Sequence, residues 1–183
     1  MISSLADVPK TPESIYAIDI DDTILYYEHL PETWWDKLKE KLRKKFAPSL
    51  TATENNAKIL SIWENIIKIC KPIAIEQNEF MALVEYCKNH NSHLVLLTAR
   101  SNRVDSITRE HLKILFPDYQ PEIIFCDIEN KGSQLRQAID VNKYNHLYFV
   151  DDKQYNIDDV VAEYPTGHTY LFQRTYSSFP GFK

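Results

Sequence analysis

An α/β fold, a three-layer α/β/α sandwich around a mainly parallel sheet with a small α-helical insertion, is predicted by three observations. Short apolar runs recur along the 183 residues, amphipathic helical stretches separate them, and polar residues gather just past the ends of the runs. A helix between two apolar strands implies a right-handed parallel crossover. In such sheets, ligands bind beyond the carboxyl ends of the strands, near the point where strand order reverses.

The first strand is Ser14-Ile15-Tyr16-Ala17-Ile18, and Asp19-Ile20-Asp21-Asp22-Thr23 follows it directly. Two helices are expected next. One opens at Thr33-Trp34-Trp35-Asp36 and runs to Phe46, with Trp34 or Trp35, Leu38, Leu42 and Phe46 on one face. The other runs from Asn56 to Cys70 with a stripe of Ile59, Leu60, Trp63, Ile66, Ile67 and Cys70. A third helix, Glu79 to His90, precedes the strand Leu94–Leu97, which ends in Thr98-Ala99-Arg100. Val104 to Phe116 reads as a helix with Val104, Ile107, His111, Ile114 and Leu115 on one face, closed by Pro117. A strand over 122–127 leads to Lys131-Gly132, a helix over 133–141 pairs Leu135 with Ile139, and a strand over 145–150 ends in Asp151-Asp152. A helix over 156–163 and a strand over 169–172 complete the pattern. The division expected is a core of residues 1–25 and 78–183 with an insertion at 26–77.

Composition narrows the function classes. A net charge of −5 and a pI near 5.7 give no electrostatic footprint for nucleic acid. No stretch is long and apolar enough for an integral membrane segment, and the first 20 residues lack the pattern of a signal peptide. The chain therefore reads as cytoplasmic, a reading that does not exclude export as an effector. Cys70, Cys87 and Cys126 lack metal-ligand spacing and read as buried reduced thiols. With glycine only at 132, 167 and 181, a glycine-rich phosphate cradle is excluded. His29, His90, His93, His111, His146 and His168 have no paired metal spacing and read as surface or satisfied core residues.

Two carboxylates one residue apart at a strand end, Asp19 and Asp21, suit phosphoryl transfer, one attacking as a nucleophile while the other handles a proton. The bland alternative for an Asp-rich cluster is a solvated turn. Thr98 alone would read as a strand-end cap and Lys131 alone as a solvated lysine. Phosphoryl transfer also calls for magnesium, which prefers oxygen ligands and is usually held by one or two carboxylates; Asp19 and Asp151 fit that part.

Taken in order, Asp-x-Asp-x-Thr, an apolar run plus Thr, a lone Lys, and an apolar run plus Asp-Asp resemble the four motifs of the haloacid dehalogenase-like (HAD) superfamily. The resemblance extends from about Ile15 to about Thr175 and is nearest to bacterial phosphatases. It implies a Rossmann-like core with a type 1 cap at 26–77. It also implies a Mg2+-dependent phosphatase that forms an aspartyl-phosphate on Asp19. Asp21 would protonate the leaving oxygen, activate water and lend its backbone carbonyl to the metal. Thr98 and Lys131 would bind the phosphoryl group, and Asp151 and Asp152 would serve the metal, Asp152 from behind. Aspartate at position 21 favours phosphatase over dehalogenase or ATP-pump chemistry. Asp22 stands where the family often has Gly or a small residue. Arg100 would contact substrate or pair with a nearby carboxylate. The basic face Lys37, Lys39, Lys41, Arg43, Lys44 and Lys45 is either a solvated helix side or an attractor for an anionic substrate, phosphoprotein or membrane surface. The expected substrate is a phosphorylated small molecule or a phosphoprotein. The other readings are a catalytically idle HAD-like binding module and a phosphotransferase to an alcohol acceptor.

Overall fold

The computed structural model describes residues 1–28, 30 and 32–173; His29 and the end of the expected resemblance at 174–175 lie outside them. Five strands, β1 (Ser14–Ile18), β4 (His93–Thr98), β5 (Glu122–Phe125), β6 (His146–Asp151) and β7 (His168–Leu171), form one sheet in the order β5-β4-β1-β6-β7. Every pairing in it is parallel. Ile2 extends the β7 edge through backbone bonds to Leu171 and Gln173. Central β1 is buried at all five positions, so it reads as a continuous apolar run.

Strand alternation divides the core into two layers. Tyr16, Ile18, Leu94, Leu96, Tyr148 and Val150 face α3 (Gln77–Asn89) and α4 (Asp105–Leu115), meeting Phe80, Leu83, Leu112 and Phe116. Ile15, Ala17, Val95, Leu97, Leu147 and Phe149 face α5 (Lys131–Ala138) and α6 (Gln154–Glu163), meeting Leu135, Ile157 and Val160. Helices on both faces make the three-layer α/β/α sandwich that the strand and helix order predicts.

Two helices, α1 (Glu32–Phe46) and α2 (Ala52–Ile67), stand between β2 (Leu25–Tyr27) and β3 (Pro72–Ala74), which pair as an antiparallel ribbon. Three residues per strand are too few for alternation to register in the sequence. Trp35 near the start of α1 meets Trp63 near the end of α2 at 4.9 Å, and Asn55 of α2 donates to the Arg43 carbonyl at 3.0 Å. The helices are therefore antiparallel.

The inner side of α4 is the expected one at Val104, Ile107, His111 and Leu115, with Thr108 and Leu112 beside them, whereas Ile114 lies on the flank of that stripe and is 62% exposed. α5 starts two residues earlier than its apolar spacing suggests, since the Asn130 side chain accepts from the Ser133 N–H at 3.0 Å and makes Lys131 the first helical residue. Next to it, Gly132 lets α5 approach α6: a Cβ there would stand 2.5 Å from the Asp159 carbonyl oxygen and 2.9 Å from Glu163 Cγ. Gly132→Ala is expected to lower the stability of the fold by about 1–3 kcal/mol, read as a lower urea midpoint with an unchanged m-value.

Candidate active site

Ile18, the last residue of β1, pairs with Leu96 on one side and Val150 on the other, so β6 ends one residue and β4 two residues beyond it on the same edge. Asp19, Thr98 and Asp151 thus emerge at one edge, and the Asp19 N–H bonds the Val150 carbonyl at 2.9 Å. The chain moves outward from β1 through β4 to β5, then returns to β6 and β7 on the other side, placing the switch point between Asp19 and Asp151. After Asp19 the backbone turns tightly, with the Asp22 N–H on the Leu25 carbonyl at 2.8 Å and Asp22 at φ 61°. That is the left-handed region, which accounts physically for a preference for Gly at this position.

Lys131 is the hinge of the cluster. Its Nζ bonds both Asp19 Oδ1 and, at 2.7 Å, Asp151 Oδ2, with all three side chains buried. A cation in the first turn of a helix is disfavoured by the helix dipole, so the two carboxylates hold it there. Burial alone would lower the Lys131 pKa, but Asp151 and Asp19 raise it above the usual lysine value. Asp151 is anchored further by Asn156 Nδ2 at 3.0 Å to each oxygen and by the Lys153 N–H at 2.8 Å. Thr23 Oγ1 lies 3.4 Å from Asp19 Oδ2. Burial pushes the Asp19 carboxyl well up, Lys131 pulls it down, and Asp151, Asp152 and Asp21 add to the rise. Burial likewise takes Asp152 up to about 6 against the pull of Lys153.

Ligand atoms from Asp19, Asp151 and Asp152 lie within 4.8 Å of one another. Lys153 Nζ pairs with Asp152 Oδ2 at 2.8 Å. A donor set made entirely of carboxylate oxygens fits a hard cation such as magnesium.

Arg100 holds Asp21 from below. The guanidinium is fully buried and clamps Asp21 through Nε at 2.9 Å and Nη2 at 2.7 Å. It also donates to Tyr27 Oη at 2.6 Å and Thr108 Oγ1 at 2.9 Å. Of the two roles open to it in the sequence, carboxylate pairing is the one present. Tyr27 Oη in turn shares a hydrogen bond with His111 Nδ1, 3.2 Å away. Burial, helped by Arg100, lowers the His111 pKa below 6.5. Thr98 is fully buried and its Oγ1 accepts from the Arg100 N–H at 3.2 Å, which leaves its proton for another acceptor.

A cleft of about 670 Å³ opens over this edge, with Asp19, Asp21, Asp152, Arg100 and Lys131 in its lining and α1 and α2 along its other side. Glu64 of α2, itself buried, accepts from Ser101 Oγ and, at 3.2 Å, from Arg103 Nε, tying the insertion to the loop after β4. Asp36 of α1 meets Lys153 at 3.3 Å on the opposite side.

No family model and no curated protein matches the sequence. Among solved structures, the chain is similar to a hydrolase of the haloacid dehalogenase-like family from Streptococcus pneumoniae. The TM-score is 0.52 and the identity 13%, over 82% of this chain and 80% of that one. The fold is haloacid dehalogenase-like. Within the HAD-like fold, sequence reasoning named Asp19, Asp21, Thr98, Arg100, Lys131, Asp151 and Asp152, and the structure gathers all seven around one strand edge. It did not name Asn156, Tyr27, Thr108 or Glu64, whose roles depend on distant partners. Cys87 and Cys126 are buried and free, each thiol pushed up to about 12 by burial, so neither suits nucleophilic work.

Two outcomes are expected. Arg100→Lys cannot reproduce the fork to Asp21, Tyr27 and Thr108, and should lower unfolding free energy by on the order of 3 kcal/mol in urea titration. Because neutral His111 is favoured in the fold, the unfolded chain binds the extra proton below its own pKa near 6.5. The stability His111 contributes is therefore present above that pH and lost as pH falls. Thermal melts between about pH 7.5 and about pH 5 should show a smaller acid loss for His111→Asn, which retains a hydrogen-bonding group for Tyr27, than for wild type.

Proposed function

We propose that the protein is a magnesium-dependent phosphatase that hydrolyses a phosphate monoester through an aspartyl-phosphate on Asp19. The observation that carries the reading is the pairing of Asp19 and Asp151 through Lys131 at the sheet's switch point, with Asp21 fixed over the same cleft by Arg100. The name of the Streptococcus pneumoniae protein, a hydrolase, is consistent with it. Residues 26–77 act as the cap, and 1–25 with 78–183 as the core.

An Asp19 oxygen attacks phosphorus, forming an acyl phosphate as the bond to the leaving oxygen breaks. Asp21 gives its proton to that oxygen, then takes one from water as the water oxygen attacks phosphorus, releasing inorganic phosphate and restoring Asp19. Each carboxylate oxygen has two lone-pair directions, so the Arg100 clamp leaves one on each Asp21 oxygen for the proton it handles. Lys131 offsets the charge of Asp19 and the transferred group, and Thr98 donates its hydroxyl to a phosphoryl oxygen. Asp19, Asp151, Asp152 and the Asp21 backbone carbonyl would hold magnesium. When bound, magnesium offsets the phosphate's negative charge and polarises its oxygens.

Hydrolysis of a generic aryl phosphate is the test. Wild type with magnesium should turn over. Asp19→Asn and wild type with chelator should each fall by at least about 10³-fold; equal turnover by Asp19→Asn would remove the aspartyl-phosphate mechanism.

A further inference from the structure

The basic face of α1 divides in the fold. Trp35, Lys39 and Arg43 recur every four residues and line the cleft, Arg43 as an exposed residue at its rim, whereas the equally exposed Lys37, Lys41, Lys44 and Lys45 are not part of that lining. Lys39 is paired with Asp36 at 2.9 Å. Arg43, in contrast, lines the cleft, and its guanidinium has no carboxylate or other side-chain partner among the described residues. A planar guanidinium in that setting presents a fork of donors matched to an oxyanion.

Its distance from the reacting end can be read along the helix. Asp36 touches Lys153, which touches Asp152, so the Trp35–Asp36 end of α1 lies beside the carboxylate cluster. Arg43 is eight residues beyond Trp35, about 12 Å farther along the axis. Apolar surface lines the cleft as well: Trp35, Trp63, Ile59 and Leu60. The cleft volume of about 670 Å³ is that of a site for one small molecule.

We infer that the substrate is a small phosphate monoester whose leaving group carries an apolar spacer and a second anionic group at its far end, held by Arg43. The inference rests on the phosphatase reading and adds the substrate class. Phosphate enters over Asp19, the spacer lies against Trp35 and Trp63, and the second oxyanion, carboxylate or phosphate, meets the guanidinium.

Three aryl phosphates test it: one with an uncharged alkyl tail, one whose tail ends in a carboxylate about 10 Å from phosphorus, and one whose tail ends there in a phosphonate. Wild type with magnesium should favour an anionic tail over the neutral one by at least about tenfold in kcat/KM, and Arg43→Glu should abolish that preference. The better of the two anionic tails identifies the oxyanion. Lys41→Glu makes the same charge change on the exposed side of α1 and should leave the preference intact, separating a specific contact from general attraction. Turnover of all three probes with the same ratios in wild type and Arg43→Glu overturns the inference alone. A preference lost equally in Lys41→Glu also overturns it. A wild type that turns over none of the probes removes the phosphatase reading, and the inference with it.

Discussion

Much of this molecule depends on one buried ammonium group. Lys131 is taken out of water and kept charged between Asp19 and Asp151, which come from different strands and meet only because β1 and β6 are neighbours in register. Removing Lys131 would leave two buried carboxylates side by side without compensation, an arrangement that costs several kcal/mol. The bonds from Asn156 and the Lys153 N–H draw the start of α6 to the same point, and Gly132 allows α5 and α6 to close over it. Site and packing are therefore one constraint: the helices on this face are placed by the polar cluster as much as by Leu135, Ile157 and Val160.

A second buried cation organises the other half of the edge. Arg100 joins Asp21 to Tyr27 on the ribbon and to Thr108 on α4, and Tyr27 continues the chain to His111. Tyr27 also packs edge-on against Trp63 of α2 at 5.7 Å. The orientation of Asp21 is thus coupled through a single arginine to the root of the helical insertion. Each partner is satisfied by another, which makes the network rigid where an unsatisfied member would be costly.

The insertion itself is held differently. α1 has no fully buried side chain among its described positions, while α2 buries Asn55, Ile59, Glu64 and Ile67. Polar tethers at Glu64 and Asp36 fix it on either side of the cleft, leaving apolar and basic surface turned toward the carboxylates. A cleft with an acidic floor and a basic, aromatic far wall is polarised along its length, and that polarity bears on which ligand lies which way round.

By itself, the sequence determined the alternation of strands and helices and the identity of the strand-end residues. Both are local properties: an apolar run and the polar residue that ends it are adjacent in the chain, so Asp19, Thr98 and Asp151 could be placed before any packing was known. Only the tertiary structure decided what depends on distant neighbours. The short β2–β3 ribbon forms because residues nearly fifty apart pair with each other. Thr108, a polar residue with no place in the apolar spacing of α4, is buried on its inner side where Arg100 supplies it with a donor. Arg100 binds Asp21, and Arg43 rather than Lys41 lines the cleft, because helix rotation and burial are set by contacts between elements, which carry no signature at the spacing of a single run.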